Sequence, residues 1–166
     1  MLLSLSRIIS MPGGVIPFNL SLDFSQMEFG GQFPVDQAVT AVGQVKNEAG
    51  VLLLSAELST TLHCVCDRCA APFSREYSHR AEAILVTELM HEENEDDRTF
   101  LLKGDDVDLD EVLTTAFVLS MDSKMLCSPD CKGLCASCGK NLNEGKCGCT
   151  KEPDPRLAVL KQLLKD

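Results

Sequence analysis

The longest alternation of apolar and polar positions runs from Val51 to Cys66. Its even positions Leu52, Leu54, Ala56, Leu58, Leu62 and Cys64 are apolar, while Ser55, Glu57, Ser59, Thr61 and His63 occupy odd ones. A period of two is that of a strand with one buried face. On that face Cys64 is expected as a small core hydrophobe rather than a metal ligand. Upstream, Phe18, Leu20, Leu22 and Phe24 alternate with Asn19, Ser21 and Asp23, predicting a half-buried strand within 15–25. Gly13-Gly14 and Gly30-Gly31 mark turns on either side. Another strand is predicted from Ala38 to Lys46, with Asn47-Glu48-Ala49-Gly50 as a hairpin loop. After the long strand, Cys66-Asp67-Arg68-Cys69 reads as a turn, and an extended segment leaves it through Tyr77 to Thr87.

Thr99 to Leu102 predicts a short strand. A helix follows, with Asp108 as N-cap and Glu111 three residues on. Val112, Leu113, Ala116, Phe117 and Ser120 then recur at helical spacing, a face expected to pack on the sheet, and the helix ends near Met121. At the end of the chain, Asp154 and Pro155 suit the start of a short closing helix carrying Leu157, Leu160 and Leu164. Such a helix is too short to stand alone and must pack on something. These elements predict an α+β fold: a curved antiparallel sheet of about five or six strands, a typical sheet size, with one packed helix. The expected division is a β-rich core domain over 1–121, a zinc-knuckle segment over 122–153 and a closing helix over 154–166.

Composition narrows the class. A chain of 166 residues with 45% hydrophobic content suffices for one core and a small metal-stapled appendage. No run reaches the roughly 18 apolar residues of a membrane span. The apolar start is broken by Ser4, Ser6 and Arg7, with no basic region before it, which argues against a cleaved signal. The formal net charge of −10 repels free RNA at long range. The charge is uneven, however. Eleven acids face two bases between Glu88 and Glu111, whereas eight Lys/Arg face five acids from Lys124 onward.

The chemistry lies in the nine cysteines. Cys127, Cys131, Cys135, Cys138, Cys147 and Cys149 fall in one stretch, and Cys66-x-x-Cys69 forms a separate pair. Pairs at these short spacings let a chain curl so that both thiolates meet one tetrahedral metal ion. An odd count without a secretory signal favours metal over disulfides. Eight ligands make two four-cysteine sites for Zn2+. The preferred pairing puts Cys135, Cys138, Cys147 and Cys149 on one ion, and joins Cys66 and Cys69 to Cys127 and Cys131 on the other. The rival arrangement fills only the local site and leaves Cys66 and Cys69 as a reactive dithiol. His63, His79 and His91 lack knuckle spacing.

A catalytic zinc site keeps an open position for water, which filled four-cysteine sets do not. With no nucleophile triad order, phosphate-cradling loop or HExxH, an enzyme is not expected. Arg68, Lys132, Lys140 and Lys146 are candidate contacts to RNA or a partner, since cations between the cysteines can meet phosphates.

Three segments taken together, LHCVCDRCAAPF (62–73), LCSPDCKGLCASCGKNLNEGKCGC (126–149) and DPRLAVLKQL (154–163), resemble the YceD-like family of large ribosomal RNA subunit accumulation proteins, in its zinc-binding version. The opening MPGGVIPFNLSLD is similar to that of the family. The resemblance implies a non-catalytic factor in large-subunit ribosomal RNA accumulation and ribosome assembly, in a bacterial cytoplasmic or organellar setting, the cytoplasm being the expected location. Its expected partner is a ribosomal protein or the large-subunit RNA precursor, with no membrane and no small-molecule substrate. A thiol-redox protein using Cys66 and Cys69 and a purely structural zinc scaffold are the alternatives.

Overall fold

The computed structural model describes residues 1–87 and 98–149. In chain order its elements are β1 (Leu2–Ser4), α1 (Ser6–Ile9), β2 (Val15–Leu22), β3 (Val39–Glu48), β4 (Val51–Val65), β5 (Pro72–Val86), β6 (Thr99–Leu101), β7 (Asp106–Asp108) and α2 (Leu109–Ser120). The alternating segment is β4, and Leu52, Leu54, Ala56, Leu58, Leu62 and Cys64 are all buried. Burial also pushes the Cys64 thiol pKa above its ordinary value, as expected of a core position.

Five strands form one sheet in the order β2-β3-β4-β5-β6. The pairings from β2 to β5 are antiparallel, as the hairpin pattern predicts. The sheet departs from a purely antiparallel one at its edge, where Ile84 to Val86 pair in parallel with Thr99 to Leu101. A parallel return needs a crossover of about a dozen residues, and the chain between Val86 and Thr99 supplies that length. A second, two-stranded sheet pairs β1 with β7. The short α1 adds to the one helix expected.

The β3–β4 hairpin is tighter than predicted. Glu48 pairs with Val51, leaving only Ala49 and Gly50 in the turn, at φ of 52° and 96°. Positive φ at both central residues is the turn whose twist matches that of the strands. Asn47 therefore belongs to the strand and is buried. Its Nδ2 donates to the carbonyls of Ile8 (2.7 Å) and Ile9 (2.9 Å), and its Oδ1 accepts the Gly50 N–H at 2.8 Å. Those bonds satisfy a polar side chain that would otherwise be costly to bury.

α2 covers the sheet through Val112, Leu113 and Phe117, all buried. The Phe117 ring lies 4.7 Å from that of Phe24, 5.1 Å from Tyr77 and 5.9 Å from Phe29, so helix, sheet and the 24–29 loop meet on one side chain. Asp108 occupies the N-cap position, but its side chain caps nothing. It pairs with Lys103 at 2.9 Å instead, and this ion pair lowers the Asp108 pKa. The closing helix expected over 154–166 lies outside the described residues.

Candidate metal centres

The first half of one site is built by the β4–β5 turn. Beyond the last ladder pair, Val65 with Pro72, the Cys66 N–H donates to the Ala71 carbonyl (2.9 Å) and the Ala70 N–H to the Cys66 carbonyl (2.8 Å). Ala70 takes a left-handed φ of 54° to close this loop. The hairpin thus delivers Cys66 and Cys69 together at its tip.

Asp67 brings in the second half. Its backbone N–H donates to the Met125 carbonyl at 2.8 Å, and its Oδ2 accepts the Met125 N–H at 2.7 Å. Met125 itself is buried in the main core, so the incoming segment is anchored just before Cys127. Gln32 braces the same corner, donating to the Val65 carbonyl (3.0 Å) and accepting the Val65 N–H (2.7 Å). Sequence reasoning missed Asp67, Met125 and Gln32. Only the place of Asp67 between two cysteines hinted at a role.

The sulfurs then converge. Cys66 and Cys131 Sγ are 3.8 Å apart, and Cys69 and Cys127 Sγ are 3.7 Å apart. A tetrahedron with metal–sulfur bonds of about 2.3 Å has sulfur–sulfur edges of about 3.8 Å. All four sulfurs lie within 4.8 Å of one another, and so do those of Cys135, Cys138, Cys147 and Cys149. These are the two sets of the preferred pairing. Either could hold a metal ion. The nine thiols are free, and even the Cys135 and Cys147 sulfurs, 3.3 Å apart, are far outside a disulfide bond of about 2.05 Å. The sites differ in setting. Cys66, Cys69 and Cys131 are buried beside Ala71, Phe73 and Leu126, whereas no cysteine of the local set is buried.

The local knuckle follows its glycine. Gly139 adopts φ of +71° and donates its N–H to the Cys135 carbonyl at 2.8 Å, while the Cys135 N–H reaches the Lys140 carbonyl at 2.9 Å. Backbone donors also set the charge. At Cys66, burial opposes ionisation, but N–H groups of Cys127, Cys69 and Arg68 outweigh it and hold the thiol at about 6. At Cys135 the N–H groups of Cys138 and Ser137 do the same, again to about 6. Their crowded neighbours move the other way. Cys127, facing Cys66, and Cys149, facing Cys138, are each pushed up to about 12. Four thiolates cannot share so small a space without a cation, and a divalent metal would supply that charge.

Arg68 is placed by the knuckle backbone. Its Nη1 donates to the carbonyls of Pro129 (3.2 Å) and Cys131 (3.0 Å), fastening the second cysteine pair over the turn. Lys132, Lys140 and Lys146 are exposed, and Lys140 Nζ lies 3.3 Å from the Lys146 carbonyl. Asn143, which sequence reasoning passed over, donates its side-chain amide to Cys131 Sγ at 3.2 Å. No helix among the described residues is long and apolar enough to cross a membrane.

Fold and sites together define a class: a small α+β protein whose cysteine-rich segment is pinned back onto a hairpin tip by one set of four sulfurs and gathers a second set within itself. Within that class the chain belongs to the YceD family, whose model, described as large ribosomal RNA subunit accumulation protein YceD, matches residues 54–164. The match spans both cysteine sets. The chain is also similar to uncharacterised proteins of Mycobacterium bovis and of two Mycobacterium tuberculosis strains. Each is 25% identical over 179 residues, covering 99% of this chain and 81% of the relative. No solved structure matches.

Proposed function

We propose that this protein is a non-catalytic, zinc-binding factor for large-subunit ribosomal RNA accumulation, acting in ribosome assembly in the cytoplasm. The observation that carries this reading is the family match, which runs through both sulfur sets. Zn2+ suits four-sulfur sites of these dimensions, and a four-cysteine set filled by one ion leaves no open position for a substrate. The ligands would be Cys66, Cys69, Cys127 and Cys131 on one ion, and Cys135, Cys138, Cys147 and Cys149 on the other. In this reading the core over 1–121 and the knuckle segment over 122–153 work as a unit that binds a ribosomal protein or the RNA precursor. The exposed Lys132, Lys140 and Lys146 are the contacts proposed for RNA. Arg68 would act there chiefly by holding the knuckle in place.

The thiol-redox alternative has less support, because Cys66 and Cys69 are buried and each has a second sulfur beside it. The deciding experiment depletes the protein from its source cells and measures the ratio of large- to small-subunit ribosomal RNA. A selective fall in the large-subunit RNA is expected, restored by the intact chain and not by Cys135→Ser/Cys138→Ser. An unchanged ratio on depletion would refute the ribosomal reading.

A further inference from the structure

Asn143 belongs to the loop between Cys138 and Cys147, both members of the local sulfur set. Its side chain nevertheless serves the other set, donating from Nδ2 to Cys131 Sγ at 3.2 Å. The orientation of the amide follows from its neighbours. Its Oδ1 accepts the Lys132 N–H at 2.8 Å, which leaves only the NH2 group to face the sulfur. Asn141 steadies the residue, its Oδ1 accepting both the backbone N–H and the Nδ2 of Asn143 at 3.0 Å. The backbone joins the same two stretches: Leu142 N–H donates to the Gly133 carbonyl at 2.9 Å, and Leu134 bridges Asn141 in antiparallel fashion. Residues 131–135 and 140–143 thus form a short ribbon that carries a cysteine of the long-range set at one end and the local set at the other.

We propose that Asn143 couples the two metal sites, so that a metal in the local set strengthens metal binding at the long-range set, and the reverse. This rests on the reading that both sets hold metal. Groups that donate to a metal's ligands commonly change its affinity by roughly 10- to 100-fold. The Asn143 amide reaches Cys131 only while the 139–147 loop is folded. No residue from Cys135 to Cys149 is buried, so that loop has no apolar core to fold it. Its own metal is the remaining organiser. Whatever favours the amide–sulfur bond at one site must then favour the other, because coupling between two binding sites is reciprocal.

The test uses Co2+ titrations of the full chain, read by cobalt–thiolate absorbance, with cysteine-by-cysteine protection from alkylation assigning each metal to its site. Disabling the local set by Cys138→Ser/Cys149→Ser is expected to weaken Co2+ binding at the long-range set by roughly 10- to 100-fold. Asn143→Ala in the otherwise intact chain is expected to weaken it by a similar factor, and combining the two changes to add little, the signature of a shared interaction. Asn143→Asp keeps the side chain's shape and its Lys132 contact but removes the donor. It separates loss of the amide–sulfur bond from loss of the loop, and is expected to match or exceed alanine. Additive losses, or Asn143 variants that leave the long-range affinity unchanged, would overturn the coupling while leaving two metal sites. Failure of either set to bind Co2+ would overturn the metal reading and the coupling with it.

Discussion

Gly133 is where the knuckle passes closest to the hairpin tip, and its replacement by alanine has a cost that can be worked out. The residue has φ of +71°, and an added Cβ would lie 2.9 Å from the Arg68 carbonyl oxygen and 3.5 Å from the Arg68 Cβ. That same carbonyl accepts the Leu134 N–H at 3.1 Å. Alanine must therefore hold a left-handed backbone and also push the turn away. The first costs about 1–2 kcal/mol, and losing the hydrogen bond about 1 kcal/mol more. Together they weaken docking by about 2–3 kcal/mol, raising the undocked population roughly 30- to 150-fold.

The assay is the alkylation rate of Cys66 and Cys69 at saturating metal, read by mass spectrometry. Gly139→Ala serves as the control, because Gly139 has the same φ of +71° with nothing within 4 Å of its missing Cβ. It should carry only the left-handed cost, and carry it at the local set. If Gly133→Ala left the protection of Cys66 and Cys69 within about twofold of the intact chain, against the hydrogen-bond and backbone costs above, the docking argument would be wrong. Equal exposure of those thiols by Gly139→Ala would assign the effect to backbone strain rather than to close approach.

Replacing Phe117 by alanine removes the ring on which Phe24, Phe29 and Tyr77 converge. It should cost about 3–5 kcal/mol in denaturant unfolding, and a loss below about 1 kcal/mol would contradict the central place given to this side chain. Ala49 holds φ of 52° in the tight hairpin, where Asn is better suited, so Ala49→Asn should stabilise. Thermal unfolding should rise by a few degrees, about 2–4 °C per kcal/mol for a domain of this size, and a fall would refute the turn assignment. Metal affinity should decline as pH falls, because thiolates are the binding form and Cys127 and Cys149, at about 12, must release protons even at neutral pH. The decline should steepen below about 6, where Cys66 and Cys135 also take up protons; a Co2+ affinity constant between pH 5 and 8 would contradict it. Chelation should abolish hydrogen-exchange protection at Leu134 and Leu142 while that of β3 to β5 persists, and joint loss of both would show that the sheet needs the metal as well.

The parts legible in the sequence were those with local periodicity or spacing. The period-two face of β4 identified its buried residues, because one register serves the whole strand. Cysteine spacing likewise singled out the two sets, since the ligands within each pair are close in sequence. What escaped had neither property. Asn47 reads as a loop residue because it is polar, and its burial depends on two carbonyls of α1 nearly forty positions away. β1 and β7 are three residues each, too short for any period to register. Asp108 shows how a correct local signal is overridden: the cap position is right, but Lys103 offers its carboxylate a charged partner.

The same distinction explains why the knuckle carries its information in cysteines and asparagines rather than in apolar residues. Between Asp122 and Cys149 the only large apolar side chain that is buried is Met125. Burying one such side chain stabilises by about 1.5–3 kcal/mol, whereas a structural zinc site is worth about 10–16 kcal/mol at neutral pH. Apolar periodicity is consequently absent where the sulfur sets, and a metal they could hold, do the organising. In such a segment the sulfurs are aimed by polar side chains: Asp67 accepting the Met125 N–H, Arg68 donating to the carbonyls of Pro129 and Cys131, and Asn143 donating to Cys131 itself. Each is polar and, by residue type alone, indistinguishable from a solvated surface residue. Only the hydrogen bonds distinguish them, and every one of those bonds ends on the knuckle backbone or on a sulfur.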